Sequence, residues 1–256
     1  MRFGRQYGLD HIGSRSEGAS VADEAGRIIA EVAVETVAGA RIASEAGADR
    51  LELCAALAVG GITPSVGLIR QVRRAVELPI MVLVRSRPGD YCYTDVEIEQ
   101  MVVDIGVVAE EGCQGVVIGA LDERHAVHPA HTAALISAAR SHGLSVTFHR
   151  AFDEVPDRPA GLATLIDLGA DRVLTSAGAP TAMQGGAALA ELVAGADGRI
   201  GILAGGGLTA AEATAVLRVS GVSELHFAAR ATVPGDFRPT DRQAVAGIVA
   251  AVRAFA

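Results

Sequence analysis

Eight short apolar runs, each followed by an Ala-rich stretch of helical character, recur along this chain. They are IIAEVAV (28–34), RLELC (50–54), IMVLV (80–84), GVVIG (115–119), LSVTF (144–148), DRVLT (171–175), RIGIL (199–203) and SELHF (223–227). Runs this short, rich in Val, Ile and Leu, suit strands covered on both faces, which is the situation of a parallel sheet. The intervening segments predict helices near 37–46, 65–76, 94–111, 129–141, 158–168, 185–194, 209–219 and 240–254. Gly47, Gly112, Gly143, Gly169 and Gly221 each fall a few residues before a strand. Glycine suits the left-handed position that ends a helix. AGADRLEL and LGADRVLT repeat one helix-stop and strand-start in the second and sixth units. Eight strand–helix units without a linker predict an α/β chain, a single-domain (β/α)8 TIM-like barrel over 28–256. The alternative, an open doubly wound sheet, would carry a phosphate-binding glycine fingerprint after its first strand. The segment there, ETVAGARIA, has none.

Bulk properties narrow the function. Half the 256 residues are apolar, enough for a large core, and the net charge is −8. An acidic chain argues against nucleic acid and against an anionic membrane surface as partners. No stretch approaches the unbroken apolar length of a membrane span. Residues 1–27 read as a polar, Gly/Ser-rich, flexible tail without the apolar centre of a secretory signal. Three widely spaced cysteines, Cys54, Cys92 and Cys113, argue for a reducing cytoplasm rather than a disulfide framework.

Functional groups of such barrels gather at the C-terminal ends of the strands, and strand residues alternate between faces. If the more apolar face of each strand packs on the helices, the mouth collects Glu31, Glu35, Glu52, Arg85, His149, Thr175 and His226. Burying these charges is costly unless they pair or bind a ligand. An ion network holding the strands together, Glu52 with Arg85 for example, is the structural alternative. As a site, Glu52, His149 and His226 offer acid–base chemistry and Arg85 a clamp for carboxylate or phosphate, with Arg150 on the rim. In ILAGGGLTAAEA, Gly205, Gly206 and Gly207 precede Thr209, a good helix N-cap. Their amides, with Arg230, suit an anion; a tight turn that needs glycine is the plainer account. Cys54 and Cys92 follow strands 2 and 3 on one rim, where two thiolates would suit Cu(I). An oxygen-rich alternative places a divalent ion on Glu31, Glu35, Glu52 and a histidine. The histidines of RHAVHPAH read as solvated surface.

Longer segments resemble the CutC family, often called copper homeostasis proteins. The resemblance runs from about residue 30 to the C-terminus and rests on GADRLELCAALAVGGITPSVGLI (47–69), VRSRPGDYCYTDVEIEQM (84–101), VTFHRAFD (146–153), DRVLTSAG, AGGGL and ELHFAAR. In the second segment Arg85, Arg87, Gly89 and Asp90 match the family pattern, while Ser86 and Pro88 depart from it. Many relatives carry cysteines in strand 1, where this chain has Ala33 and Val34. The resemblance implies a cytoplasmic TIM-like barrel, a homodimer or higher homo-oligomer, with a role in copper homeostasis. It adds Arg87, Asp90 and Ser176 to the candidate ligand-binding residues and leaves Cys54 and Cys92 as the copper candidates. Three readings stand together: a copper homeostasis protein binding Cu(I) weakly, an enzyme acting on a small anionic metabolite, and a non-catalytic metabolite sensor.

Overall fold

The computed structural model describes residues 27–231 and 238–255. Apart from residue 27, the expected N-terminal tail lies outside them. Eight parallel strands close into a barrel in sequence order, with β8 returning to β1. The strands are β1 Ile29–Val34, β2 Arg50–Leu53, β3 Ile80–Leu83, β4 Gly115–Ile118, β5 Ser145–Phe148, β6 Arg172–Thr175, β7 Gly201–Gly205 and β8 Glu224–Phe227. The helices are α1 Val37–Glu45, α2 Val66–Ala75, α3 Asp95–Glu110, α4 Pro129–Ser141, α5 Arg158–Leu168, α6 Gly186–Ala196, α7 Ala210–Ser220 and α8 Arg242–Phe255. The predicted barrel is thus the observed one. Among the described residues no helix is long and apolar enough to cross a membrane.

Local chemistry sets the helix starts. The hydroxyls of Thr36 and Ser65 accept from the amides of Gly39 and Leu68. Thr94 and Glu97 cap α3 reciprocally, and Asp157 accepts from Ala160 ahead of α5. At the other end of α5, Gly169 takes φ of 80°, the left-handed turn that a side chain would strain. The repeated Gly-Ala-Asp has a specific use. Asp49 accepts the Ala30 amide of β1 at 2.8 Å, and Asp171 accepts the Val146 amide of β5 at 2.6 Å. Each aspartate ties the start of its own strand to the preceding one. Arg27 and Arg253 hold Asp49, and Arg140 holds Asp171.

The outer face of the sheet is apolar. Val32, Val34, Leu51, Leu53, Val82, Val146, Phe148, Val173, Leu225 and Phe227 pack beneath the helices in one large core. The inner face is mixed. Met81, Leu83, Val117 and Cys54 form a small separate cluster inside the barrel, and the remaining interior is polar. Near the N-terminal ends Arg50 bonds Glu31 and Glu224, and Arg172 donates to Thr147 and Ser145. The predicted facing of β1, β2, β3, β5 and β8 agrees with this division. Strand β6 differs: Val173 and Thr175 point outward and Leu174 inward. Thr175 can sit outside because Asp153 takes its hydroxyl hydrogen at 2.5 Å, which removes the cost of burying it.

Space inside the barrel is tight at Gly115, where a Cβ would lie 2.5 Å from the Ser145 carbonyl oxygen and 2.8 Å from the Met81 sulfur. Its backbone is outside the left-handed region, so only space demands glycine there. Gly115→Ala is expected to cost about 1–3 kcal/mol by overpacking, lowering the thermal midpoint by roughly 2–4 °C per kcal/mol. An unchanged midpoint by calorimetry would contradict this packing.

Candidate functional site

A cavity of about 330 Å³ opens at the C-terminal ends of the strands. Glu52, Arg85, Tyr91, His149, Arg150 and His226 supply its charged and polar walls. Leu57, Leu83, Leu174, Leu208 and Phe227 supply the apolar ones, and Gly206, Gly207 and Arg230 complete the rim. The volume suits a small metabolite.

Under the cavity floor runs a line of alternating charge. Glu31, almost wholly buried, bonds Arg50 through one oxygen and His226 Nδ1 through the other, at 2.8 Å for the histidine. His226 Nε2 lies 3.5 Å from Glu52. Burial opposes ionisation of Glu31, but Arg50 and His226 outweigh it and hold its carboxyl far below the usual range. Burial also disfavours the imidazolium of His226, yet Glu52 and Glu31 raise its pKa overall. Glu52 is different. Burial, reinforced by the charge of Glu31 and only partly offset by His226, pushes it up to about 7. The mouth therefore holds a carboxyl that gains and loses a proton near neutral pH, as a general acid or base must.

His149 is the opposite case. Burial and the nearby Arg85 push its pKa down to about 3, so the ring is neutral. Nδ1 accepts the Ala151 amide at 3.2 Å, which leaves the hydrogen on Nε2. That atom is buried without a partner among the described residues. The ring packs 4.9 Å from Tyr91 and lies against Gly119, where a Cβ would meet it at 2.3 Å. His149 thus lines the cavity as a fixed, uncharged ring whose N–H has no acceptor among the described residues.

Arg85 is 3% exposed and makes no ion pair among the described residues. Its terminal nitrogens bond the carbonyls of Gly61 at 2.9 Å and Gly89 at 2.6 Å, tying the loops after β2 and β3 together. Its Nε is buried and unpartnered, and its guanidinium lies over the Tyr91 ring at 4.8 Å. A buried cation with carbonyls but no carboxylate retains most of its charge for a ligand. The Glu52–Arg85 ion pair weighed from sequence does not form; Glu52 faces His226 instead.

The other expected residues divide by position. Arg150 lines the cavity, its Nε and one terminal nitrogen committed to Asp153 at 2.7 Å and Ser176 at 3.0 Å. Gly206 and Gly207 line it too, whereas Gly205 closes β7 against Leu174 and His226. Glu31 lies beneath the cavity rather than on it, and its oxygens are committed. Glu35 accepts the Leu57 amide at 2.8 Å, holding the loop after β2. Thr175 and Ser176 bond Asp153 and do not reach the cavity. Arg87 and Asp90 bond each other at 3.0 Å, and Arg87 also holds Glu97 and the Cys92 carbonyl; this brace lies outside the cavity. Sequence reasoning missed Asp153, which joins the turn after β5 to Thr175, Ser176 and Gly178, and Tyr91, the ring between Arg85 and His149. Both stood in the quoted segments, within three residues of ones that were chosen.

The two copper candidates are not brought together. Cys54 sits inside the barrel with Met81 and Leu83, whereas Cys92 packs outside it and points to the Asp122 carbonyl at 3.2 Å. Burial and nearby carboxylates raise both thiols, Cys54 strongly, which disfavours the thiolate that Cu(I) needs. Among the described residues no three His, Cys, Asp or Glu side chains are grouped to hold a metal. The proposed oxygen-rich set on Glu31, Glu35 and Glu52 is likewise not assembled. The donors present do not fit a metal centre.

Residues 28–231 match the model of the CutC family. A CutC family protein of Histophilus somni (strain 2336) is 44% identical over 200 residues, covering 78% of this chain and 82% of that one. A human protein named copper homeostasis protein cutC homolog is 42% identical over 211 residues, covering 82% and 77%. The crystal structure of a CutC protein from Streptococcus agalactiae superposes with a TM-score of 0.74 at 30% identity, covering 78% of this chain and 97% of that one.

The electrostatics yield two expected results. A carboxyl raised from 4.5 to about 7 on folding does not penalise the folded state below 4.5 and penalises it increasingly as pH rises through that window. Glu52→Gln removes the ionisation, so its thermal midpoint should rise by a few degrees relative to wild type between pH 5 and 8; a pH-independent difference would refute the shift. In nitrogen-detected NMR, His149 should stay neutral with its hydrogen on Nε2 from pH 5 to 8. Protonation of that ring above pH 5 would refute its environment.

Proposed function

Because this chain belongs to the CutC family, we propose that its barrel mouth binds a small anionic metabolite and moves a proton on it. The observation that carries this reading is Arg85, a buried guanidinium with no carboxylate partner among the described residues, in the same cavity as a carboxyl poised near pH 7. Arg85 Nε and Arg150 supply positive charge. Among the described residues the amides of Gly207 and Leu208 donate to no protein acceptor, leaving them for phosphate or carboxylate oxygens. His149 Nε2–H holds a carbonyl oxygen. Glu52, ionised, takes a proton from the neighbouring carbon; the C–H electron pair moves into a new C=C bond and the carbonyl electrons onto oxygen. On a substrate with a hydroxyl on that carbon, return of the proton to the former carbonyl carbon, as the hydroxyl proton passes to the oxyanion, exchanges carbonyl and hydroxyl and completes an isomerisation. A neutral imidazole suits this role because it stabilises a developing oxyanion without surrendering its proton to solvent.

A role in copper homeostasis comes from the human relative's name. In this chain it is best served through the metabolite site, since Cys54 and Cys92 form no metal centre. All three cysteines are unpaired thiols, which supports a reducing cytoplasm. A homodimer or higher homo-oligomer is the assembly the family suggests.

Native mass spectrometry of freshly purified protein should detect a co-purifying small anion, and inorganic phosphate should raise the thermal midpoint. Arg150→Gln should weaken phosphate about tenfold, a loss near 1.4 kcal/mol. Glu52→Gln should retain the anion and lose proton exchange on it, read as deuterium incorporation from solvent. Exchange that survives Glu52→Gln, or phosphate binding indifferent to Arg150→Gln, would overturn the reading. In Cu(I) competition titrations Cys54→Ser should not change affinity; a large loss would restore the thiolate site.

A further inference from the structure

The opposite end of the barrel holds a larger cavity, about 790 Å³, lined at its charged side by Arg27, Arg50, Asp171, Arg172 and Glu224, of which Arg27 pairs with Asp49 and Asp171 with Arg140. Its other wall is apolar, formed by Val193, Ala196, Ile202 and Val222 from α6, β7 and the turn before β8. A bracing network alone would pair its charges. Arg50 is paired, with Glu31 and Glu224. Arg172 is not: it donates to the hydroxyls of Thr147 and Ser145, leans on the Met81 sulfur, and makes no ion pair among the described residues. Hydroxyls orient a guanidinium without neutralising it.

Gly201 sharpens the point. It begins β7 outside the left-handed region, so its conformation does not require glycine. A Cβ there would stand 3.0 Å from Arg172 Cγ and 3.2 Å from Glu224 Oε1. The missing side chain keeps a slot open between a cation and a carboxylate that do not touch.

We infer that this slot is a second binding site, independent of the mouth, for a small organic carboxylate with an apolar body. The carboxylate pairs with Arg172, whose planar fork suits two oxygens. The apolar body lies on Val193, Ala196, Ile202 and Val222, where burying each methylene contributes to affinity. Glu224 repels a second acidic group and so selects against dicarboxylates that would also suit a larger basic patch.

The test uses 4-methylpentanoate as the probe and 3-methylbutylamine as the cationic control of similar shape. In proton–nitrogen NMR, the carboxylate should shift the amides of Gly201, Val222 and Ser223 saturably, and the amine should not. Gly201→Ala, which fills the slot without removing a charge, should weaken the carboxylate at least about tenfold. Arg172→Met should abolish the response. Glu52→Gln should leave it unchanged, which separates this site from the mouth. Shifts confined to residues 206–208, equal binding of the amine, or full affinity in Gly201→Ala would each overturn the inference, and the last holds even if Arg172→Met fails to fold.

Discussion

The arrangement of this barrel depends on one buried line of charge, Arg50–Glu31–His226–Glu52. Ions inside a protein are tolerated when each has a partner of opposite sign. Glu31 has two, the guanidinium below and the imidazole above, and its charge is fixed. Together with Glu52, that fixed charge favours the protonated form of His226 against the cost of burial. His226 spends its shorter contact on Glu31 and stands 3.5 Å from Glu52, so the last carboxyl is under-compensated and titrates near neutral pH. Two glutamates of like burial thus acquire opposite behaviour from their place in one chain of contacts. The line also crosses the sheet, since β8, β1 and β2 contribute its members in adjacent register. The stability of the closure and the reactivity of the mouth share the same side chains.

Two further charges organise the loops above it. Arg85 gathers carbonyls from the loops after β2 and β3, and Asp153 gathers amides and hydroxyls from the loop after β6. Each is a single ion surrounded by backbone dipoles. They differ in what remains. Asp153 also has Arg150, so its charge is answered within the protein. Arg85 has no such answer among the described residues. The cavity therefore carries surplus positive charge beside a neutral imidazole donor and a proton-active carboxyl. This is the electrostatic shape of a site for an anion that gains negative charge at an oxygen during reaction.

The sequence revealed the fold because the strand–helix period recurs in every unit and glycine stops end five of the helices, as in the Gly-Ala-Asp repeat before β2 and β6. The polar positions opposite apolar ones in β1, β2, β3, β5 and β8 placed Glu52, Arg85, His149 and His226 within the barrel. Strand β6 defeated the same rule, since Leu174 and Thr175 are both compatible with either face. What settled it was Asp153, a partner distant in space until the fold forms. Arg50 and Arg172 share the inward parity, but a charge at the start of a strand looks like solvated rim. Arg87 and Asp90 carry the chemistry of an anion site, yet each is the other's partner. Cys54 and Cys92 follow neighbouring strands in sequence; alternation sends the first into the barrel, and the loop takes the second outside.

The central claim is that Glu52 is a carboxyl held half-protonated near neutral pH by the charge line beneath it. Carbon-13 NMR of the glutamate side-chain carboxyls, with Glu52 assigned by its absence in Glu52→Gln, reads this directly. The account requires the Glu52 resonance to titrate with a midpoint near 7. A midpoint near 4.5, the ordinary glutamate value, would contradict it.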